Sequence, residues 1–556
     1  MRITLAQPNV TVGDISGNVK KIVQFFSQAV KLDSDIVVFP ELCISGYPPE
    51  DLLLKNHFVE DNFLALKQVA KECSDKDISV IVGFPEKNPN GFFNSLAVLQ
   101  AGNIKKIYRK RILPNYGVFD EKRYFRTGNE SVIVNVKGLN AVLTICEDIW
   151  QPQWLALFLK DTPRVDLLIN ASASPFDVGK MQQRQQVLSH AAKYLDCAVA
   201  YCNLIGGQDE LVFDGRSMFL DNTGAIISRA KAFDEDLLAA DIDLAAGKRS
   251  TGKIKITPVN GKKRFPDVSI DSIREIYEAL VLGTRDYALK NRFRKAIVAL
   301  SGGIDSSVTA AIAVDALGSE NVVGITMPSQ FNSPQTISDA AIVAENLDIE
   351  FHTIPITGIL EKFNDTLSAD KGWAGSGVPY ENLQARIRGT ILMSLSNQFS
   401  YLVLTTGNKS ETAVGYSTLY GDTAGGFAVI KDVPKTTIYK LADFINKIHS
   451  HKIIPDSIIT RLPTAELRHN QKDSDDLPDY GLLDLILQGY IEEDKSPQQL
   501  VEQGLPVSQV ERVIRMVDLN EYKRRQSPPG VKITHRAFGK DRRMPITNFY
   551  GRLDEK

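Results

Sequence analysis

The sequence is short of the residues on which many functions rest. It holds five cysteines in 556 residues, Cys43, Cys73, Cys146, Cys197 and Cys202, with no CxxC pair. So sparse and odd a set excludes a disulfide framework and a thiolate zinc site, and fits reduced thiols in the cytoplasm. Histidine is as scarce: of seven, only His57 and His190 fall in the first half of the chain, and neither stands at the end of an apolar run. Neither sign of charge dominates. The formal net charge is -2, so the chain lacks the basic footprint of a nucleic-acid binder. Long hydrophobic runs are missing too, none nearing the ~18 residues of a membrane span. The N-terminal residues Met1–Pro8 read as a strand, not as a signal peptide.

What is present is the composition of an ordinary globular protein, 43% hydrophobic and 24% charged, in a chain too long for one core. Two textures divide it. Over 1–245, apolar runs predict strands at 3–7, 35–40, 78–85, 95–100, 104–109, 141–145, 165–170, 198–203 and 216–221, with helices at 18–30, 57–71 and 180–195. So many strands adjacent in sequence favour a layered sandwich, sheets inside and helices outside, over a doubly wound sheet. A polar stretch rich in Lys, Gly and Pro, 246–268, reads as a linker. From 269 to 556 a βαβ pattern follows: helix 271–290, strand 296–300, helix 307–317, strand 322–327, helix 383–399, strand 401–405. Apolar strands of this kind predict a parallel sheet covered by helices.

Three strand ends of the first region carry reactive side chains. The run 36–40 ends in Glu41, the run 104–109 ends in Lys110, and the run 141–145 ends in Cys146. A thiol attacks as thiolate and needs a base or nearby positive charge. With histidine poorly placed, a glutamate can take the proton and a lysine can offset charge on a tetrahedral intermediate. Singly, each has a plainer reading: an inert buried thiol, a solvated charge. Together, Phe39-Pro40-Glu41, Tyr108-Arg109-Lys110 and Cys146-Glu147-Asp148 resemble the nitrilase (carbon–nitrogen hydrolase) superfamily. The resemblance implies an α-β-β-α sandwich with Glu41 as general base, Lys110 as stabiliser of the intermediate and Cys146 as nucleophile on a glutamine amide. Leu113–Phe125 and Asn170–Phe176 resemble the glutaminase branch of that superfamily, which implies Tyr116, Ser174 and Lys180 as glutamine contacts. The plainer readings of Ser174 and Lys180 are a Ser-Pro turn and a helix-start lysine.

The second region carries the stronger signal, Ser301-Gly302-Gly303-Ile304-Asp305-Ser306-Ser307 after an apolar strand. Glycines let backbone approach a ligand, and N–H groups at a helix start cradle an anion. No G-x-x-x-x-G-K-[ST] occurs, so this is not a Walker A loop. By default Asp305 is a helix cap. The motif resembles the PP-loop ATP pyrophosphatases (adenine nucleotide α-hydrolase-like), which cleave ATP between the α- and β-phosphates. Thr405-Thr406-Gly407-Asn408-Lys409-Ser410-Glu411, Tyr420-Gly421-Asp422, Lys431–Thr436, Pro379–Gly389, Pro463–Leu467 and Glu521–Gln526 resemble the NAD synthetases within that group. This implies ATP contacts at Ala299, Leu300, Ser301, Gly302, Gly303, Ile304, Asp305, Ser306, Thr406 and Lys435. It also implies deamido-NAD contacts at Asn382, Glu411 and Lys523, and Mg²⁺ at Asp305 and Glu411. One departure stands out: single-domain NAD synthetases often carry a lysine just before Tyr-Gly-Asp, where this chain has Leu419.

Taken together, the resemblances imply an α/β protein of two domains that uses L-glutamine, ATP and deamido-NAD, binds neither nucleic acid nor membrane, and works as a homo-oligomer. Two alternatives stay open: an amidotransferase of the same design acting on another carboxylate, and a nucleotide-sensing scaffold with decayed sites.

Overall fold

A computed structural model describes residues 1–244, 254–259, 271–370 and 372–550. The chain divides into two compact units, 1–270 and 271–556.

The first unit contains strands β1 (Arg2–Gln7), β2 (Ile36–Val38), β3 (Ser79–Asn88), β4 (Gly91–Gln100), β5 (Asn103–Arg109), β6 (Ile133–Val136), β7 (Leu139–Ile145) and β8 (Leu167–Ser172). These are followed by β9 (Ala198–Asn203), β10 (Ile205–Gln208), β11 (Leu211–Asp214), β12 (Met218–Leu220), β13 (Ile226–Arg229), β14 (Asp236–Leu244) and β15 (Ile254–Pro258). Its helices are α1 (Ile15–Lys31), α2 (Asn56–Glu72), α3 (Pro152–Leu159) and α4 (Lys180–Leu195). The strands form a seven-stranded sheet, β15-β14-β1-β2-β3-β4-β5, a six-stranded sheet, β13-β12-β9-β8-β7-β6, and the hairpin β10-β11.

Side-chain alternation builds the layers. Ile3 and Leu5 of β1, Ile36 and Val38 of β2, Leu143 and Ile145 of β7, and Ile169 and Ala171 of β8 share one buried cluster between the sheets. The opposite face of the first sheet, through Val37, Val80 and Val82, packs against Ile22, Phe25 and Phe26 of α1 and Leu66 and Val69 of α2. That of the second, through Val142, Leu168 and Val199, packs against Leu155 of α3 and Leu188 and Ala192 of α4. The layer order is therefore α-β-β-α.

Within the stretch expected to be a linker, 254–258 is instead the edge strand β15, paired antiparallel with β14; its alternation, Ile254 and Ile256 buried, adds to the inter-sheet cluster. The remainder, 246–253 and 260–268, lies outside the described residues.

The second unit contains α5 (Ser272–Lys290), β16 (Ala296–Ala299), α6 (Ile304–Leu317), β17 (Val322–Thr326), α7 (Pro334–Asn346), β18 (Glu350–Thr353), α8 (Thr357–Leu367), α9 (Gly377–Phe399), β19 (Leu402–Thr405), α10 (Lys409–Val414), β20 (Phe427–Ala428) and α11 (Lys435–Ile448). Five strands make one all-parallel sheet in the order β18-β17-β16-β19-β20. The chain leaves β16 first toward β17 and later returns on its other side as β19, so the strand order reverses at β16. The crevice beyond the carboxyl ends of such strands is where open α/β sheets bind ligands. Helix α6 begins at Ile304, three residues before the expected start, because Gly302 at φ +78° and extended Gly303 turn the chain directly into the helix. Asp305 is thus not a cap: it lies inside the first turn, and its carboxylate is engaged elsewhere.

Candidate active sites

In the first unit, Glu41, Lys110 and Cys146 converge from three strand ends. Lys110 Nζ donates to Glu41 Oε1 at 2.7 Å and to Glu121 Oε1 at 2.8 Å. Asn94 Nδ2 donates to Glu41 Oε1 at 2.7 Å, and the Ala173 N–H donates to Oε2 at 2.9 Å. Glu41 is thereby locked from three sides, with both its side chain and that of Lys110 fully buried.

Cys146 directly follows β7 at φ +43°, a left-handed conformation that turns the thiol off the strand. Asp148 fixes this turn. Its carboxylate accepts from the Ile145 and Ile112 N–H groups, each at 2.9 Å, and from Tyr108 Oη at 2.8 Å. The Cys146 turn and the segment carrying Lys110 are thus tied to one anchor.

Electrostatics sort the roles. Burial, and then the Glu41 carboxylate, push the Cys146 thiol well above its ordinary range, with Lys110 pulling the other way. The resting group is a thiol, so attack requires a base to take its proton. Burial works against charge on Lys110, but Glu121 and Glu41 outweigh it and hold the ammonium protonated. Burial pushes Glu121 up to about 7 against the pull of Lys110.

Glu121 and Asp148 went unread in the sequence, although both lie inside segments that carried the resemblance; nothing local marks them as partners of Lys110 and Cys146.

Of the expected glutamine contacts, Tyr116 Oη donates to Glu147 Oε2 at 2.9 Å, next to Cys146 in the chain. Lys180 lies 4.9 Å from the centroid of the Trp150 ring, and it lowers the Glu147 carboxyl that burial raises. The Ser174 N–H donates to Asn203 Oδ1 at 2.9 Å, and buried Arg184 donates to the Ser174 hydroxyl at 3.3 Å while pairing with Asp214.

In the second unit a cavity of about 520 Å³ opens at the switch point. Ser301, Gly302, Gly303, Ile304, Asp305, Ser306, Thr406, Lys435, Asn382, Glu411 and Lys523 all line it. Ala299 and Leu300 are not among its lining residues; they end and follow β16, with the Leu300 side chain buried.

Gly302 admits no side chain, since a Cβ there would stand 2.1 Å from the Thr336 carbonyl oxygen. Its own carbonyl accepts from Arg461 Nη1 at 3.0 Å. Lys435 Nζ bridges Asp305 Oδ2 and Glu411 Oε1, the second contact at 3.3 Å. Asn408 caps α10, accepting from the Glu411 N–H at 2.9 Å, and donates to Asp305 Oδ1 at 3.0 Å. Burial pushes Glu411 up to about 7, with Lys435 opposing. At the other end, Lys523 Nζ donates to the Gly415 and Ser417 carbonyls at 2.7 and 2.8 Å, and Thr418 Oγ1 donates to Asn382 Oδ1 at 2.7 Å. Asp422 accepts from the Thr418 N–H and is pushed up to about 6 by burial. The Leu419 carbonyl accepts from Arg386 Nε at 3.3 Å, which places a guanidinium beside that position.

Asp422 and Arg461 also line the cavity and were not read as candidates; Asp422 lies in a motif that was recognised, and Arg461 had no signal.

The folds and sites define a class: a glutamine amidotransferase, in which an amide-hydrolysing domain is joined to an ATP-dependent synthetase. Comparison with known proteins agrees. The carbon-nitrogen hydrolase family matches residues 2–249, and the NAD synthase family matches residues 276–527. The chain is 47% identical to the glutamine-dependent NAD(+) synthetase of Aquifex aeolicus and 45% identical to that of Thermotoga maritima, covering 99% of this chain and 99% and 98% of the relatives. A solved structure of the glutamine-dependent NAD+ synthetase of Acinetobacter baumannii in complex with ADP superposes with a TM-score of 0.77 at 41% identity, covering 100% of this chain and 99% of that one. The chain belongs to the glutamine-dependent NAD(+) synthetase family, whose reaction is the ATP-dependent amidation of deamido-NAD with nitrogen from glutamine.

Proposed function

We propose that Glu41, Lys110 and Cys146 hydrolyse glutamine and that the cavity at the β16–β19 switch point amidates deamido-NAD. The observation that carries the first half is a buried, resting thiol beside a fully buried Glu41–Lys110 pair. Glu41 removes the Cys146 proton as sulfur attacks the amide carbon. Lys110 offsets the developing oxyanion. Ammonia leaves, taking a proton from Glu41, and water then cleaves the glutamyl thioester to glutamate. Tyr116, Ser174 and Lys180 hold the substrate glutamine, with Glu147 added to that set.

In the synthetase cavity the Ser301–Ser306 loop and the start of α6 cradle ATP phosphates. The nicotinate carboxylate of deamido-NAD attacks the α-phosphorus and pyrophosphate leaves; ammonia then displaces AMP. Thr406 and Lys435 contact ATP, and Asn382, Glu411 and Lys523 contact deamido-NAD. The ADP complex of the Acinetobacter relative supports a nucleotide in this cavity.

Mg²⁺ fits Asp305 and Glu411: two partly buried carboxylates share the Lys435 ammonium, leaving negative charge that a hard, oxygen-loving cation balances. When bound, it would neutralise phosphate charge. A homo-oligomer in the cytoplasm is the setting we favour. Exposed Trp154 and Leu157 on α3 supply apolar surface for self-association, and all five cysteines are free and buried. Among the described residues no helix is long and apolar enough to cross a membrane.

The test compares NAD and AMP formation from deamido-NAD, ATP and Mg²⁺ with glutamine or with ammonium as nitrogen source. Cys146→Ala is expected to abolish synthesis from glutamine and keep synthesis from ammonium. Loss of both would overturn the division of labour, and absence of NAD from the unaltered enzyme would overturn the acceptor.

A further inference from the structure

The matched NAD synthase region ends at residue 527, and the chain continues as a largely buried strap. Val531 and Ile533 are fully buried, and Gly530 passes so close to β20 that a Cβ would lie 2.1 Å from the Ala428 carbonyl oxygen. The Ala428 N–H donates to the Pro529 carbonyl at 2.8 Å, and Lys431 Nζ donates to the Pro528 carbonyl at 2.6 Å.

The strap meets two charged residues placed beside the site. Asp432, three residues before Lys435, accepts from the N–H groups of Ile533 and Thr534, each at 2.7 Å, and from the Thr534 hydroxyl at 2.8 Å. Lys409, two residues before Glu411, is 2% exposed. It donates to Thr534 Oγ1 at 2.5 Å, to Glu492 Oε1 at 2.7 Å and to the Arg536 carbonyl at 3.1 Å, and lies 3.0 Å from Asp432. The Lys409 N–H donates to the Val433 carbonyl at 2.9 Å.

The Thr534 hydroxyl therefore adds a bridge between Lys409 and Asp432, whose segments carry Glu411 and Lys435 and also touch directly. Helix α10 has only six residues, too few to hold its own orientation. Its inner residues are anchored, Lys409 on the strap and Ser410 on Asp484, while Glu411 lines the cavity and the cap Asn408 donates to Asp305. A shift of Lys409 would move Glu411 against Lys435, whose contact is set at 3.3 Å.

We propose that the C-terminal strap, with Thr534 as its hub, is a positioning element of the nucleotide site that sets the spacing of Glu411 and Lys435. The proposal rests on the reading of those two residues given above. It assigns the strap no contact with substrate.

Thr534→Val keeps the shape and removes the hydroxyl; Thr534→Ser keeps the hydroxyl. Binding of ADP with Mg²⁺ is measured by calorimetry, alongside kcat and KM for ATP with ammonium as nitrogen source and the unfolding temperature. A hydrogen bond to buried charged groups sets the scale, so Thr534→Val is expected to weaken ADP binding and lower kcat by about tenfold each. Thr534→Ser is expected to restore both to within about twofold. Equal behaviour of the two variants, whether both intact or both impaired, would overturn the hub. Should Thr534→Val unfold below the assay temperature, Asp432→Asn takes its place, with the same expected loss and the same overturning result of unchanged binding. Glu411→Gln run in parallel separates the failures. If it leaves ADP binding and kcat unchanged, the reading of Glu411 falls. If it impairs them while Thr534→Val does not, only the strap proposal falls.

Discussion

Replacing Glu121 by glutamine should make the first unit more stable at neutral pH and less active. Glu121 Oε1 accepts from Lys110 Nζ and Tyr47 Oη, while Oε2 has no hydrogen-bond partner among the described residues. Two carboxylates, Glu41 and Glu121, thus share one buried ammonium. Burial lifts Glu121 from 4.5 to about 7, so between those values the folded state holds a proton that the unfolded chain has released. Stability falls as pH rises through this window, and above it the full penalty remains. Glutamine abolishes that penalty and still offers Lys110 an oxygen, but its amide group takes the unpartnered position of Oε2, at a cost of about 1 kcal/mol or more. The net gain at pH 8 is therefore roughly 1–2 kcal/mol, vanishing or reversing by pH 4. Activity moves the opposite way. The Lys110 ammonium loses one of its two charged partners and is less firmly aimed, so glutamine hydrolysis should drop on the order of 100-fold, the scale of losing one oxyanion donor. Denaturant-dependent hydrogen exchange of peptides covering residues 108–125, at pH 5 and pH 8, reads the stability; glutamate release reads the activity. Destabilisation at pH 8, or turnover within threefold of the unaltered enzyme, would refute the charge argument.

Two further outcomes bear on the synthetase site. Gly302→Ala places a Cβ 2.1 Å from the Thr336 carbonyl oxygen at a φ of +78°, so synthesis from ammonium should fall at least 100-fold while glutamine hydrolysis persists; near-normal synthesis would show that the loop can yield. Chelation by EDTA should stop synthesis from ammonium, restored by added Mg²⁺, and leave glutamate release intact, because the paired carboxylates Asp305 and Glu411 belong to the second unit alone. Synthesis unaffected by EDTA would remove the metal from Asp305 and Glu411.

Much of the fold was legible because its signals are local. The inter-sheet strands 141–145, 198–203 and 104–109 announce themselves by apolar runs, and α4 was read at its observed bounds, 180–195. The antiparallel strands β10, β11 and β13 were not read, since four residues apiece give little period to detect. Strand β15 was hidden in a polar stretch: only Ile254 and Ile256 face inward, and the pairing with β14 that makes it a strand is a tertiary fact.

The sequence by itself determined the reactive residue types and the turns that present them: Glu41, Lys110 and Cys146 at strand ends, and the Ser301–Ser306 loop entering a helix. These depend on neighbours a few residues away, where side-chain type dictates backbone geometry. Only the tertiary structure decided which groups share a charge. Glu121 reaches Lys110, Asn408 reaches Asp305 103 residues away, and Thr534 reaches Lys409 125 residues away. Such pairings acquire their strength from burial, which strips water from both partners and makes each distance of 2.5 to 3.0 Å matter. No run of residue letters carries that desolvation; it exists only once the layers have closed.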